Sequence, residues 1–116
     1  MSGTGCLFCR ILTGEVPSEE VASDERTYAF RDINPQAPVH ILVIPRRHID
    51  HAGAIRPGDA ADIEALFLMA TTVAKQEGIF ESGYRLVFNV GDHALNSVPH
   101  LHMHLIGGKQ LGWPPG

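Results

Sequence analysis

The run Val98–Gly108, "VPHLHMHLIGG", places His100, His102 and His104 at every second position of an apolar segment. In a strand, successive side chains point to opposite faces, so the three imidazoles share one face and Leu101, Met103 and Leu105 share the other. In a helix the same rings would be spread over about 400° of rotation and would not converge. A strand over Pro99–Ile106 is therefore expected, with one face in the core and the other available for chemistry. Three readings compete for the histidine face: a metal site, a chance run of polar residues facing solvent, and a nucleophilic histidine flanked by anion-binding neighbours. A single ion is a poor fit, because the first and third positions of a straight strand lie about 13 Å apart. A neutral imidazole is a competent nucleophile toward phosphorus, and flanking rings can hydrogen-bond phosphoryl oxygens, so the third reading fits the spacing best.

The rest of the chain supplies a sheet around this strand. "CLFCRILTGEVPS" reads as a short N-terminal helix closed by Gly14 and Pro17, and "EVASDERTYAFRD" as a hairpin ending at Asp32. "VHILVIP" is a nearly continuous apolar strand stopped by Pro45, and "YRLVFNVG" is another strand. One long helix is expected from Asp59, a cap, to Gly78, a stop, with Ile63, Leu66, Phe67, Ala70, Val73 and Ala74 facing the core. Leu68 and Met69 widen its apolar face toward a second burial surface such as a subunit interface. The sum is an α+β domain: an antiparallel sheet of about five strands, one long central helix and one short helix.

A chain of 116 residues has the length of one domain, residues 1–116, with no repeat or linker. The net charge of −4 lacks the basic excess that nucleic-acid binding requires, while a single nucleotide needs only a few local donors. No segment has the length and apolarity of a membrane span or a secretory leader, so a cytoplasmic protein is expected. In a reducing compartment Cys6 and Cys9 read as a metal site, a redox pair or a coincidence rather than a structural disulfide.

The motif "HLHMHLI" resembles that of the histidine triad (HIT) family, and the likeness runs along almost the whole chain. "DINPQAPVHILVIPRRHI" and "LIGGKQLGWPPG" resemble its Hint branch, the nucleoside phosphoramidate hydrolases, more than its dinucleoside polyphosphate hydrolases. The resemblance implies a HIT-like fold with sheets joined across a homodimer, and a purine nucleotide (AMP-like) on the triad face. His102 would be the nucleophile that carries a covalent nucleotidyl intermediate, and His104 would contact the phosphate and assist the leaving amine. Asn89 and Ser97 would donate to phosphoryl oxygens and Asp32 would accept from the ribose hydroxyls. Phe8, Ile11, Val16, Phe30 and Ile33 would line the base pocket. No cofactor is needed for this catalysis. A nucleotide-binding regulatory protein with little catalysis is the reading from another class.

Similar C-x-x-C members of the family bind zinc, which implies a structural site made of Cys6, Cys9, His48 and His100. His40, His51 and His93 are left as surface or loop histidines. The chain departs from the branch at Pro99, where an aromatic residue is usual, and at Gly112. It also departs in "GDHALNSV", where relatives carry small residues and then Gln before the serine.

Overall fold

All seven residues of β3 (Val39–Pro45) are buried, as a continuous apolar run in the middle of a sheet requires. In the computed structural model, which describes residues 5–116, β3 lies third in a five-stranded antiparallel sheet of order β1-β2-β3-β5-β4. The others are β1 (Glu20–Ser23), β2 (Thr27–Arg31), β4 (Tyr84–Val87) and β5 (Met103–Gly107). Helix α2 (Ala60–Gln76) covers one face and the six-residue α1 (Leu7–Leu12) the other.

Alternation along β3 divides the interior in two. Val39, Ile41 and Val43 join Leu66, Val73, Leu101, Met103 and Leu105 beneath α2. Leu42 and Ile44 point the other way and pack with Phe8, Phe30 and the two cysteines beneath α1. Leu42 pairs with His104 across the β3–β5 ladder, so the histidine face is the α1 face. Phe8 of α1 therefore packs on His100 and His102, while His104 at the far end of the row stays partly exposed.

The core side of α2 is Leu66, Met69, Ala70, Val73 and Ala74, a series at i, i+3, i+4, i+7 and i+8. Phe67, expected in the core, lies about 100° off this stripe and is exposed, whereas Met69 turns inward. The outer apolar surface is thus Phe67 with Leu68, the latter 63% exposed. Asp59 precedes the helix as expected, yet its carboxylate makes no helix cap; it accepts from the Arg56 N–H at 2.9 Å and from Arg47. Asp62, buried on the core side of α2, is neutralised by Arg26 at 3.0 Å and Arg47 at 2.9 Å.

Two strands are shorter than their sequence patterns. β4 ends at Val87, and β5 begins at Met103, because the chain before it bonds outside the ladder. The Leu101 N–H, for example, donates to the Ile49 carbonyl at 2.6 Å, in the segment that follows β3. The loop between them contains a 3-10 turn, Asp92–Ala94, that its polar composition conceals. Among the described residues no helix is long and apolar enough to cross a membrane.

Candidate active site and metal-ligand cluster

His100, His102 and His104 converge as alternation requires, but into distinct surroundings. His102 is 8% exposed, and its ring meets Phe8 edge-on with centroids 5.1 Å apart. Its Nδ1–H donates to the backbone carbonyl of His100 at 2.8 Å, since a carbonyl only accepts. In the neutral ring the lone pair is then on Nε2. The His104 ring lies beside it, centroids 5.2 Å apart.

A fourth histidine completes the set. His40, expected on the surface or in a loop, is on β3, 6% exposed, with its Nε2 at 2.9 Å from His104 Nδ1. Its other nitrogen accepts the Gln36 N–H at 3.0 Å, so the proton of the neutral ring is on Nε2 and is donated to His104. His104 then carries its own proton on Nε2. Asp32 Oδ2 lies 3.4 Å from His40 Nε2, while its Oδ1 accepts the Asn34 N–H at 2.8 Å, a turn-forming contact. Asp32, His40 and His104 also stand close enough to hold an ion, but the Gln36 N–H keeps the proton on the His40 nitrogen that would ligate it. This cluster is a hydrogen-bonded chain that fixes the tautomers of both rings. The signal for His40 was present in the sequence: a lone histidine inside a strand apolar on both faces is buried, and a buried imidazole needs partners.

Burial pushes His104 down to about 4, with the neighbouring His102 and His40 rings adding to the shift and Asp32 opposing it. The unfolded chain takes up a proton near the ordinary value of 6.5 that the folded ring refuses until about 4. The stability tied to this ring is therefore complete above pH 6.5, falls as pH drops through that window, and levels off below about 4. One proton's full difference is about 1.4 kcal/mol per pH unit. Melting temperatures of wild type and His104→Gln between pH 7.5 and 4 are expected to converge as pH falls, and parallel curves would contradict the assignment.

The remaining expected residues are distributed unevenly. Phe8 and Phe30 are buried in edge-to-face contact, centroids 5.6 Å apart, with Ile11 and Val16 half-buried. Ile33 stands apart, 99% exposed. One Nδ2–H of Asn89 donates to the Ala94 carbonyl at 2.8 Å, which leaves its second N–H free, and Ser97 is exposed. Leu95 is 84% exposed with φ of 61°, the one non-glycine in the left-handed region among the described residues. That conformation is the reason glycine suits such a loop.

Cys6, Cys9, His48 and His100 form a second cluster whose ligand atoms all lie within 4.8 Å of one another. The cysteines stand one turn apart at the start of α1, where Cys6 is the N-cap and its sulfur accepts the Cys9 N–H at 3.3 Å. His100 Nε2–H donates to the Pro45 carbonyl at 2.9 Å and His48 Nε2–H to Asp50 Oδ1 at 2.8 Å. Both rings thereby present unprotonated Nδ1 atoms to sulfur: His100 at 3.4 Å from Cys6 and 3.5 Å from Cys9, and His48 at 3.4 Å from Cys9. Burial holds His100 near 4, its bond to the Pro45 carbonyl only partly opposing the shift. Two thiols with two imidazoles, each oriented by an acceptor behind it, are the donor set and outer support that suit zinc.

The match to the HIT domain family model covers residues 13–111. The chain belongs to the HIT family. Among HIT relatives, a maize protein named 14 kDa zinc-binding protein is 48% identical over 113 residues, spanning 95% of this chain and 87% of that one. An Arabidopsis thaliana protein named adenylylsulfatase HINT1 is 43% identical over 128 residues, spanning 99% and 79%. The crystal structure of a HIT family hydrolase from Legionella pneumophila superposes with a TM-score of 0.94 at 46% identity, covering 97% of this chain and all of that one. The sheet and helix arrangement of this HIT chain is that of its structural neighbours, and its similarity to HIT hydrolases, one of them a Hint protein, supports a hydrolase.

Proposed function

We propose that the protein hydrolyses purine nucleoside phosphoramidates, releasing a nucleoside monophosphate and an amine. The observation that carries this is the ordered set of tautomers: a lone pair on His102 Nε2 beside a proton on His104 Nε2, fixed in turn by His40. His102 Nε2 attacks the α-phosphorus, the P–N bond breaks, and the departing nitrogen takes its proton from His104. The His40 Nε2–H keeps its bond to His104 Nδ1 throughout, which holds the transferable proton of His104 on Nε2, and no proton leaves His40. Water then attacks phosphorus, the Nε2–P bond breaks, and the proton lost by water restores His104. The free N–H of Asn89 and the hydroxyl of Ser97 donate to phosphoryl oxygens, where charge accumulates during transfer. Asp32 holds the ribose hydroxyls, with Phe8, Ile11, Val16, Phe30 and Ile33 around the base. Its exposure suits Ile33 to a pocket wall that a bound base would cover.

A second reading, hydrolysis of adenylyl sulfate, is favoured by the name of the Arabidopsis relative. It uses the same nucleotidyl-histidine step but expels sulfate, which needs no proton. His40→Ala therefore separates the two: kcat for a phosphoramidate is expected to fall by roughly tenfold or more with KM little changed, and kcat for adenylyl sulfate by much less. Equal losses on both substrates would remove the role of His40 in holding the His104 proton on Nε2.

The active form is proposed to be a homodimer joined through β4 and the outer face of α2. β4 is an open sheet edge, and Phe67, Leu68, Phe88 and Val90 form an apolar surface around it, with Phe67 and Phe88 rings 6.2 Å apart. Sedimentation is expected to give a dimer for wild type and a monomer for Leu68→Asp; a monomeric wild type would overturn this arrangement.

A zinc ion is proposed for the Cys6, Cys9, His48 and His100 cluster, supported by the zinc-binding name of the maize relative. Four protein ligands close its coordination, so it would organise structure and take no part in bond breaking.

A further inference from the structure

The residue read as the nucleophile lies outside the sheet ladder. β5 pairs with β3 from Val43↔Met103 and with β4 from Val87↔His104, so His102 and the two residues before it lack the strand pairing that normally fixes side-chain direction. Other contacts hold this segment. The Leu101 N–H donates to the Ile49 carbonyl at 2.6 Å, and His100 Nε2–H donates to the Pro45 carbonyl at 2.9 Å. His100 Nδ1 faces both sulfurs, and the Pro45–Ile49 segment that receives the first two bonds is itself joined to Cys9 through His48. The His102 ring packs edge-on against Phe8, and the hydrogen bond that sets its tautomer is Nδ1–H to the carbonyl of His100. The ring of His100 therefore belongs to the cysteine cluster while its carbonyl holds the nucleophile. Thiol–imidazole contacts of 3.4 to 3.5 Å are weak, so this is the loosest joint in the set unless an ion spans it.

We infer that Cys6, Cys9 and His48 are positioning residues for the nucleophile: the ion they hold with His100 orients His102 through a single backbone carbonyl, which links metal occupancy to nucleotide binding. The inference rests on the reading of His102 as the nucleophile. By reciprocity, whatever factor zinc contributes to nucleotide affinity, nucleotide contributes to zinc affinity.

The test has two readouts besides turnover. In the zinc-loaded protein, long-range proton–nitrogen NMR of the imidazoles is expected to show His102 as a single Nδ1–H tautomer. In the chelator-treated protein, folded by circular dichroism, that signal is expected to broaden or divide between tautomers. If the stripped protein unfolds, Asp50→Asn, which weakens only the support behind His48, is expected to show the same change in milder form. An identical single tautomer in loaded and stripped protein, or in wild type and Asp50→Asn, overturns the inference. Zinc affinity, measured by competition with a chromophoric chelator, is expected to rise about fivefold or more when AMP is saturating. AMP that binds by calorimetry yet leaves zinc affinity unchanged overturns the linkage and spares the proposed reaction. AMP that fails to bind at all counts against the nucleotide reading, and the tautomer measurement still decides the positioning.

Discussion

His102→Ala is expected to lower the rate of AMP release from an adenosine 5′-phosphoramidate by roughly 10⁴-fold or more. The size follows from the role: removing the attacking atom removes the covalent route, and what remains is binding and the phosphoryl-oxygen donors. His102 is buried against Phe8, so the truncation also leaves a small cavity, and circular dichroism and a melting curve should accompany the rate. Loss of turnover in a folded variant is the expected result. Undiminished turnover would assign the nucleophile elsewhere and end the proposed mechanism. The three other rings nearby are engaged differently: His104 and His40 with each other, His100 with the cysteines and the Pro45 carbonyl.

The second large effect is expected at the thiol–imidazole cluster. Cys9→Ser should lose zinc and lower the melting temperature by on the order of 10 °C, equivalent to roughly 3 kcal/mol in a domain of this size. The reason is local. Helix α1 has six residues, too few to be stable by its own hydrogen bonds, so it is held by Phe8 in the apolar cluster and by the two cysteines. The four ligands join α1, the segment after β3 and the entrance to β5, which the sheet ladder does not join to one another. Metal analysis with a melting curve checks both parts. A variant that melts with wild type and retains one zinc per chain would contradict the site, and one that loses zinc without melting earlier would contradict its structural role.

Much of this was legible in the residues because periodicity is a local signal. Alternation at Val98–Gly108 and the apolar run Val39–Pro45 follow from the geometry of one strand, and each has its expected direction in the sheet. Strand ends were less legible, because they depend on where a partner stops pairing: nothing within "HLHMHLI" reveals that the ladder starts at Met103. Phe67 and Met69 exchanged places for a related reason. Both fit a helix stripe, and the choice depends on which stripe the sheet meets. His40 was the costliest omission. Its partner His104 is 64 residues away, and only pairing of β3 with β5 brings the two rings together. The cysteine cluster was legible as a pair, but its two histidines come from elements that sequence spacing does not relate, so the family resemblance was needed to gather them.

In the proposed reaction His102 becomes covalently bonded to phosphorus. Rapid acid-free quenching of wild type with a slowly hydrolysed adenosine phosphoramidate, followed by peptide mass spectrometry, tests it directly. A nucleotidyl adduct on His102 is expected, forming and decaying at rates consistent with turnover and absent from His102→Ala. An adduct on His104 or His40, or steady release of AMP with no adduct on any histidine, would contradict it.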